Sequence, residues 1–463
     1  MRRFPRRRVL RSGCATAAGA VVLAACGPAA RPTAASGTVT VKVALDIYAL
    51  QQYGTVTERA ALFAKVLAEF EAANRGVRVQ QVPFINTAAI QTAIVAGSAP
   101  DVFPDASKYI SYIDGQLLLK LDQYIRRDNV RMSAFSPKMV EWLALPFGTF
   151  ALSRESDANA FAVDLSALDE AGLPYPPSDW THTEFAQLCG ALTRTTNGKK
   201  RIGAMFIYGG FGVLSEFRGG FGAHITDTSR TRQTLSTPQG IAAGDWWFNE
   251  LLLPGIAATG VGAPGATVIQ NLDMNFLLHL FTAWGTQRKW VFYPPPVYPQ
   301  GRSTGMAGNF WGISATTRVA EQAWALLRWL AVEPVWQRFM MKTFLWPPGL
   351  NALLSEWVAV VTQVAPALAD KQLHWYTDAA AQGWAHVRDA GVLYQGSNAL
   401  QIDSTWYNEI AGGKVSVSEG FARADDQVDA LEQAAPALET ARATNKARFP
   451  SRGPAVAQVA QGL

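Results

Sequence analysis

Phe70-Glu71-Ala72-Ala73-Asn74-Arg75-Gly76-Val77-Arg78-Val79 changes from one hydrophobic period to another within a few residues. Before it, Phe63, Val66, Leu67 and Phe70 recur at helical spacing behind a capping-box pair at Thr55 and Glu58. Asn74-Arg75-Gly76 supplies the stop, because glycine takes the left-handed conformation past a helix end without strain. After it, Val77, Val79 and Gln81 fall on one side of a strand. Toward the N-terminus, Val39, Val41 and Val43 alternate with Thr40 and Lys42, the period of another strand. Toward the C-terminus a helix is predicted near Thr87 to Ala96, then a break at Gly97-Ser98-Ala99-Pro100 and a third apolar run at Val102-Phe103. Strand, helix, strand, helix, strand is an α/β order that implies a parallel sheet. Ligands of such sheets sit outside the carboxyl ends of the strands. Those ends are Asp46 to Tyr53, which includes Tyr48, and Pro104 to Lys108, which includes Asp105.

The first residues read as an export address. Arg6-Arg7-Arg8-Val9-Leu10-Arg11 fits a twin-arginine signal, with Pro5 where Ser or Thr is usual. The apolar run from Ala15 to Ala25 is shorter than the roughly 20 residues a spanning helix needs. It ends in Leu23-Ala24-Ala25-Cys26-Gly27, a lipobox pattern in which Cys26 becomes the acylated N-terminus. Residues 1–25 are thus expected to be a signal peptide, and 26–37, with Pro28, Pro32 and Ser36, a lipidated tether. The chain holds 41 Lys and Arg against 36 Asp and Glu, but six of the arginines lie in the signal, so the mature protein carries 35 against 36. The basic excess therefore gives no argument for nucleic acid. Of three cysteines only Cys189 remains in the body, on a predicted helical stretch as a small buried hydrophobe, and no disulfide framework is expected. The remaining length, about 430 residues, exceeds what one core usually organises, so two lobes are expected.

Later segments carry further punctuation. Thr181 and Glu184 repeat the capping-box spacing after Pro174, Pro176 and Pro177. Gly209 to Gly222 reads as a loop against a pocket, while Tyr293-Pro294-Pro295-Pro296 and Trp346-Pro347-Pro348-Gly349 read as crossings between two bodies.

These residues resemble the extracellular solute-binding proteins of the maltose-binding type, which serve ABC importers. The resemblance rests on 70–79 with Ala96-Gly97-Ser98-Ala99-Pro100-Asp101-Val102-Phe103, on Trp180-Thr181-His182-Thr183-Glu184-Phe185, on Trp311-Gly312-Ile313-Ser314 with Ala323-Trp324, and on Trp406-Tyr407-Asn408-Glu409-Ile410 with Gly412 and Val417-Ser418-Glu419-Gly420. It departs from the family at Phe161-Ala162-Val163-Asp164, where Tyr-Asn-Lys is frequent. It implies a hinged two-lobe binding-protein fold in which each lobe is a mainly parallel sheet flanked by helices. The N-lobe would take 38–150 and 294–345, and the C-lobe 151–293 and 346–463, with crossings at 148–150, 293–296 and 345–349. It also implies a sugar between the lobes, a permease as partner, and a monomer on the outer face of the membrane. Under that fold Glu155 and Asp157 fall near the first crossing, with Asp105 facing them, and carboxylates suit the paired hydroxyls of a sugar. Trp406 would be the aromatic floor, in the first turn of a helix entered from a loop at 396–405, with Trp284, Trp311, Tyr208 and Phe211 as companions. Fifteen Trp in the chain favour sugar, although Trp324 and Trp329 share one amphipathic helix and read as core.

Rival chemistries find weaker footing. Gly301-Arg302-Ser303-Thr304-Gly305 has nucleophile-elbow spacing, but no strand-to-helix context surrounds it, so a secreted hydrolase stays a secondary reading. Gly260, Gly262 and Gly265 fit a dinucleotide fingerprint with Pro264 inside it and no evident strand before it. His182, His224, His279, His374 and His386 form no metal-ligand spacing, so neither metal nor cofactor is expected. Arg154, Arg218 and Arg288 keep open a non-sugar solute such as a polyol phosphate, and a peptide is also open.

Overall fold

Two five-strand paths of the same design organise the chain. The computed structural model describes residues 37–433 apart from 46–55, 83–86, 107–108, 197, 228–231, 261, 263–265, 275–283, 285–286 and 388–395. Cys26, Tyr48, Thr55, His279 and the 1–36 segment lie outside the described residues. From Thr38 onward the chain forms one compact unit.

The principal strands are β1 Val39–Ala44, β2 Val77–Val82, β3 Val102–Ala106, β4 Ala151–Ser153, β5 Ala160–Asp164, β6 Lys199–Phe206, β7 Ala257–Thr259, β8 Thr267–Leu272, β9 Trp290–Tyr293 and β10 Asn309–Ile313. The principal helices are α1 Val56–Ala73, α2 Thr87–Val95, α3 His182–Leu192, α4 Ala320–Val332, α5 Pro334–Phe344, α6 Leu354–Val364, α7 His374–Ala381, α8 Gly396–Ala411 and α9 Val417–Gln433. The first sheet has the order β2-β1-β3-β10-β4 and the second β7-β6-β8-β5-β9. In the first, β1 lies parallel to β2 and β3, and β10 is antiparallel to β3 and β4. In the second, β6 lies parallel to β7 and β8, and β5 is antiparallel to β8 and β9. Each sheet therefore opens with parallel strands, in the first sheet those the sequence predicts, and closes with antiparallel ones. The last pair of each joins segments remote in sequence, which local periodicity does not record.

The helix stop at 74–76 is realised with Gly76 at φ 89°, and Val39 N–H donates to Gly76 O at 2.7 Å, which sets β1 beside β2. Phe63, Val66, Leu67 and Phe70 are buried together with Val41, Val43, Trp311, Trp324 and Trp336 on one face of the first sheet. Phe103, Phe310, Tyr112 and Trp142 cover the other face. Burial on both faces is what a parallel sheet requires. Trp324 is buried and Trp329 half-buried against Phe70, as their shared helix predicts. The capping box at Thr181 and Glu184 is complete and starts α3, and such a cap is worth about 1 kcal/mol.

The core against β1 and β10 does not stop at the first sheet. It continues through Trp357 and Tyr376 of α6 and α7 to Ala160, Ala162, Leu272 and Phe292 of the second sheet. The other face of the second sheet, with Phe161, Phe206 and Ile269, packs on Trp246, Trp247, Tyr407 and Phe421. Thus the segment after residue 346 divides its packing: α6 and α7 lie in the core shared by both sheets, and α8 and α9 in the second.

Three local expectations change. Residues 396–405 are helical, because Ile402, Trp406, Tyr407 and Ile410 fall on a stripe that packs on the second core while Ser404 and Thr405 face solvent. Gly210–Glu216 and Arg218–Phe221 are short 3-10 turns whose Phe211, Val213, Leu214 and Phe217 enter that core, so this glycine-rich stretch is more ordered than a surface loop. A short strand, β7, does precede Gly260, but β8 follows from Thr267, so the turn does not lead into the helix a dinucleotide fingerprint needs. Among the described residues no helix is long and apolar enough to cross a membrane.

Candidate functional site

Ser153-Arg154-Glu155-Ser156-Asp157-Ala158-Asn159 carries the chain from β4 of the first sheet to β5 of the second. Every residue of it is buried. Charged groups taken out of water cost several kcal/mol unless they are paired and hydrogen-bonded, so the partners explain how this connector persists. The Arg154 guanidinium makes an ion pair with the adjacent Glu155, Nη2 to Oε1 at 3.0 Å and Nε to Oε2 at 3.1 Å. Its other face lies over the Trp346 indole, 4.6 Å from the ring centre. Asn309 Nδ2 donates to Glu155 Oε1, and Arg154 N–H donates to Asn309 O at 3.1 Å.

Asp157 accepts from Met274 N–H at 3.0 Å, and its own carbonyl accepts from Ala307 N–H at 3.0 Å. Burial pushes the Asp157 carboxyl well above the usual carboxylate range, and the neighbouring Asp273 and Glu155 charges push it further. Asp273 in turn accepts the Tyr208 hydroxyl at 2.9 Å. Tyr376, whose hydroxyl donates to Leu272 O at 3.1 Å, is raised by burial and by the charges of Asp157 and Asp273. Asp157, Asp273, Tyr208 and Tyr376 are therefore one neighbourhood, at the end of β8 and the start of β5.

The far end of the connector is stapled by Glu216, which is fully buried. Glu216 accepts from Asn159 Nδ2 at 2.7 Å, from Gly305 N–H at 2.7 Å and from Thr304 Oγ1 at 3.2 Å. Asn159 Nδ2 also reaches Asn271 Oδ1 at 3.1 Å. A Cβ at 305 would lie 2.2 Å from Glu216 Oε1, so any larger residue there would displace this carboxylate. Beside Arg154 and Glu155, the indoles of Trp336 and Trp346 with Met340, Pro347 and Pro348 enclose a recess with about 10 Å³ of space for the centre of a water molecule. That is room for about one water.

Of the residues predicted for the site, Glu155, Asp157 and Tyr208 come together here. Trp311 stands behind the recess, its ring centre 6.1 Å from that of Trp336. Asp105, at the end of β3, pairs in register with Phe310 and receives the Tyr112 hydroxyl at 2.5 Å, on the sheet face opposite Trp311. Trp284 is buried against Trp290 in the shared core. Phe211 is packed edge-on to Tyr407 and Phe421 in the second core. Trp406 lies in the third turn of α8 rather than the first; it is buried, donates Nε1 to Gln427 at 3.2 Å and carries Arg423 over its ring at 5.2 Å. Asp273, Glu216, Asn271 and Asn309 were not found from sequence, because each meets the connector across a long separation, 112 residues between Asn159 and Asn271. Trp346 was visible only as a chain break.

The rival motif does not assemble. Ser303 is fully buried between two short strands, Gly301–Arg302 and Thr304–Met306, with no helix after it. Among the described residues no group of His, Cys, Asp and Glu could hold a metal ion.

A twofold sheet design joined by buried polar connectors defines a two-lobe binding protein. The chain belongs to the bacterial extracellular solute-binding protein family, which it matches over residues 53–335. No curated protein matches it in sequence. Among solved structures it is similar to the sugar-binding protein MalE of Xanthomonas citri, at 16% identity over 85% of this chain and 98% of that one, with a TM-score of 0.68. It is similar to the cyclic α-maltosyl-1,6-maltose binding protein of Arthrobacter globiformis at 17% identity over 86% and 100%, TM-score 0.68. The ABC substrate-binding protein of Listeria monocytogenes, solved with cycloalternan, follows at 14% identity over 85% and 98%, TM-score 0.65. At these identities the likeness is one of fold.

Proposed function

We propose that this chain is the extracytoplasmic substrate-binding lipoprotein of an ABC importer, and that it takes a sugar or oligosaccharide between its two sheets. The observation that carries the reading is the connector 153–159, which holds Glu155 beside the Trp336 and Trp346 indoles and, two residues on, Asp157 next to Asp273 and the Tyr208 hydroxyl. Hydroxyls of a sugar bind such forked acceptors, and its C–H faces pack on indole. The recess holds about one water, so a sugar enters only as the walls part, which bending of connectors between lobes allows. The solved relatives whose names state a sugar ligand support the same class of solute. The N-lobe of 38–150 and 294–345, the C-lobe of 151–293 and 346–463, and action as a monomer belong to this proposal.

Titration of the protein starting at Gly27 with a panel of sugars, followed by calorimetry, tests the reading. Tyr208→Phe keeps the ring but removes the hydroxyl on Asp273, so it should weaken sugar binding about tenfold, the share of one hydrogen bond to a charged group, with little change in Tm. Trp406→Ala should do the reverse, lowering Tm by several degrees through about 3 to 5 kcal/mol of lost packing while binding is kept. Normal binding by Tyr208→Phe, or lost binding without lost stability in Trp406→Ala, would return the site to Trp406.

The lipid anchor rests on the Leu23-Ala24-Ala25-Cys26-Gly27 sequence. Cys26→Ala should release the protein from the membrane fraction or leave it unprocessed, read as a change in partition and in mass. Unchanged partition and mass would remove the lipoprotein part of the proposal.

A further inference from the structure

The amino end of β6 extends past the second sheet as a ribbon. Its first residues pair antiparallel with the short strand Arg194–Thr196, Arg194 opposite Arg201, Thr195 opposite Lys200 and Thr196 opposite Lys199. Arg194, Thr195, Thr196, Lys199 and Lys200 are exposed. A two-stranded ribbon is marginal in water unless it buries an apolar face, and these six paired residues include no apolar side chain. Opposed residues share a face and successive ones alternate, so Arg194, Arg201 and Lys199 lie on one side and Lys200 on the other. Arg194 and Arg201 are like charges set directly opposite, an arrangement that weakens strand pairing.

On the first side Glu170 is shared by three guanidinium groups, at 3.7 Å from Arg194, 3.7 Å from Arg201 and 3.1 Å from Arg288. Arg288 also pairs with the buried Asp164. Beside it Lys289 donates to the Tyr175 hydroxyl at 2.7 Å, which in turn donates to Asp169 at 2.8 Å, and Tyr175 is 38% exposed. On the second side the Lys200 ammonium lies against Gly255, 2.6 Å from where a Cβ would stand, in the turn after the helix Trp246–Leu252. Leu253 of that turn is 47% exposed and Pro254 is exposed as well. The acids set against these six cations are Asp164, Asp169, Glu170 and, three residues before Leu253, Glu250. Among the described residues the Lys199 and Lys200 side chains take part in no ion pair or hydrogen bond. An uncompensated basic face is thus flanked by an exposed leucine and an exposed tyrosine.

We propose that this end of the second sheet is a docking face for a membrane of anionic phospholipid. Guanidinium and ammonium groups take lipid phosphates, and each cation near such a surface strengthens partition about fivefold. Leucine enters the boundary below the headgroups, where the apolar ring and polar tip of tyrosine also settle. That apolar pair favours lipid over a soluble polyanion, which offers charge but nothing for Leu253 to enter. The eight residues of β6 rise ~3.3 Å each and hold Lys199 roughly 25 Å from Tyr208, just past the other end of the strand, so docking leaves the proposed solute site clear of lipid. The face uses neither Cys26 nor the solute site and stands apart from the readings above.

Co-sedimentation of the protein starting at Gly27, which carries no acyl chain, tests the face with vesicles of phosphatidylglycerol mixed with phosphatidylcholine and with vesicles of phosphatidylcholine alone. The expected result is binding to the mixed vesicles only, screened away in high salt. It should be about 30-fold weaker in the double variant Lys199→Gln/Lys200→Gln and about tenfold weaker in Leu253→Ser. Both variants should melt with the wild type and keep its sugar titration, because the altered side chains are exposed and lie outside the solute site. A wild type that leaves the mixed vesicles unbound, or a double variant that binds them equally well, overturns the docking face. Vesicle binding that Leu253→Ser leaves unchanged, matched by binding to poly-L-glutamate, makes the ribbon a site for a soluble polyanion and overturns the lipid assignment. Vesicle binding with the expected losses in a protein that takes no sugar leaves the face standing and removes the sugar reading.

Discussion

Glu216→Ala should lower Tm by about 5 °C, the largest loss of stability expected from a single change near the site. The carboxylate is fully buried and accepts from Asn159 Nδ2, Gly305 N–H and Thr304 Oγ1. Truncation leaves the Gly305 N–H without its acceptor and Asn159 Nδ2 and Thr304 Oγ1 with only Asn271 Oδ1 and Asn159 O, and breaking such a buried charged network costs about 3 to 5 kcal/mol. Spread over an unfolding entropy of about 2.1 cal/mol/K per residue, that loss is a few degrees in a body of this size. Glu216→Gln keeps one oxygen acceptor but turns an NH₂ toward Asn159 or Gly305, so an intermediate loss is expected. The measurement is thermal melting by calorimetry; an alanine variant that melts within a degree of the wild type would show that the connector does not depend on this staple.

Asp157→Asn should move in two directions at once, raising Tm at pH 7 by a few degrees and weakening sugar binding about 10- to 100-fold. Burial, Asp273 and Glu155 all raise the Asp157 carboxyl above its unfolded value of about 3.9. A raised acid binds its proton more tightly in the folded state, so its contribution to stability is full below about pH 4 and is lost as pH rises through the raised value. Above its unfolded value the carboxyl therefore costs stability, and asparagine, whose oxygen still accepts from Met274 N–H, carries no such cost. The Tm difference between variant and wild type should shrink to nothing near pH 4. Affinity falls because one of the two carboxyl oxygens becomes an NH₂, and a solute hydroxyl left without its acceptor costs about 1 to 3 kcal/mol. Stability given up for a binding group is the usual trade at functional sites. A variant that melts lower at pH 7 would show that a compensating charge already neutralises Asp157.

Much of the candidate site was legible in the sequence because the first crossing is local. Arg154, Glu155 and Asp157 fall together in one short stretch of charged residues between apolar segments, and the chain carries that stretch directly between the sheets. Tyr208 was read only as an aromatic companion of Trp406; its place just past β6, at the carboxyl end of a parallel strand, came from the fold. The reading of Trp406 shows where such reasoning stops. The stretch 396–405 looks like a loop in sequence, yet it is helical, with Gln401, Ser404 and Thr405 exposed and the opposite side fixed by the second core. Side chains that satisfy a helix stripe and side chains that line a cleft are the same residue types, and only their neighbours in space separate them.

The sequence by itself determined the β1-α1-β2-α2-β3 order, the helix stop at Gly76, the capping box at Thr181 and the break between helices at Trp346-Pro347-Pro348-Gly349, because each depends on residues within a few positions of one another. Only the tertiary structure decided that β10 closes the first sheet between β3 and β4, that Asp273 joins Asp157 and that Glu216 staples the connector. Those contacts join segments far apart in the chain. Periodicity and turn chemistry act over a few residues, whereas a buried charge is satisfied by whatever the fold brings to it.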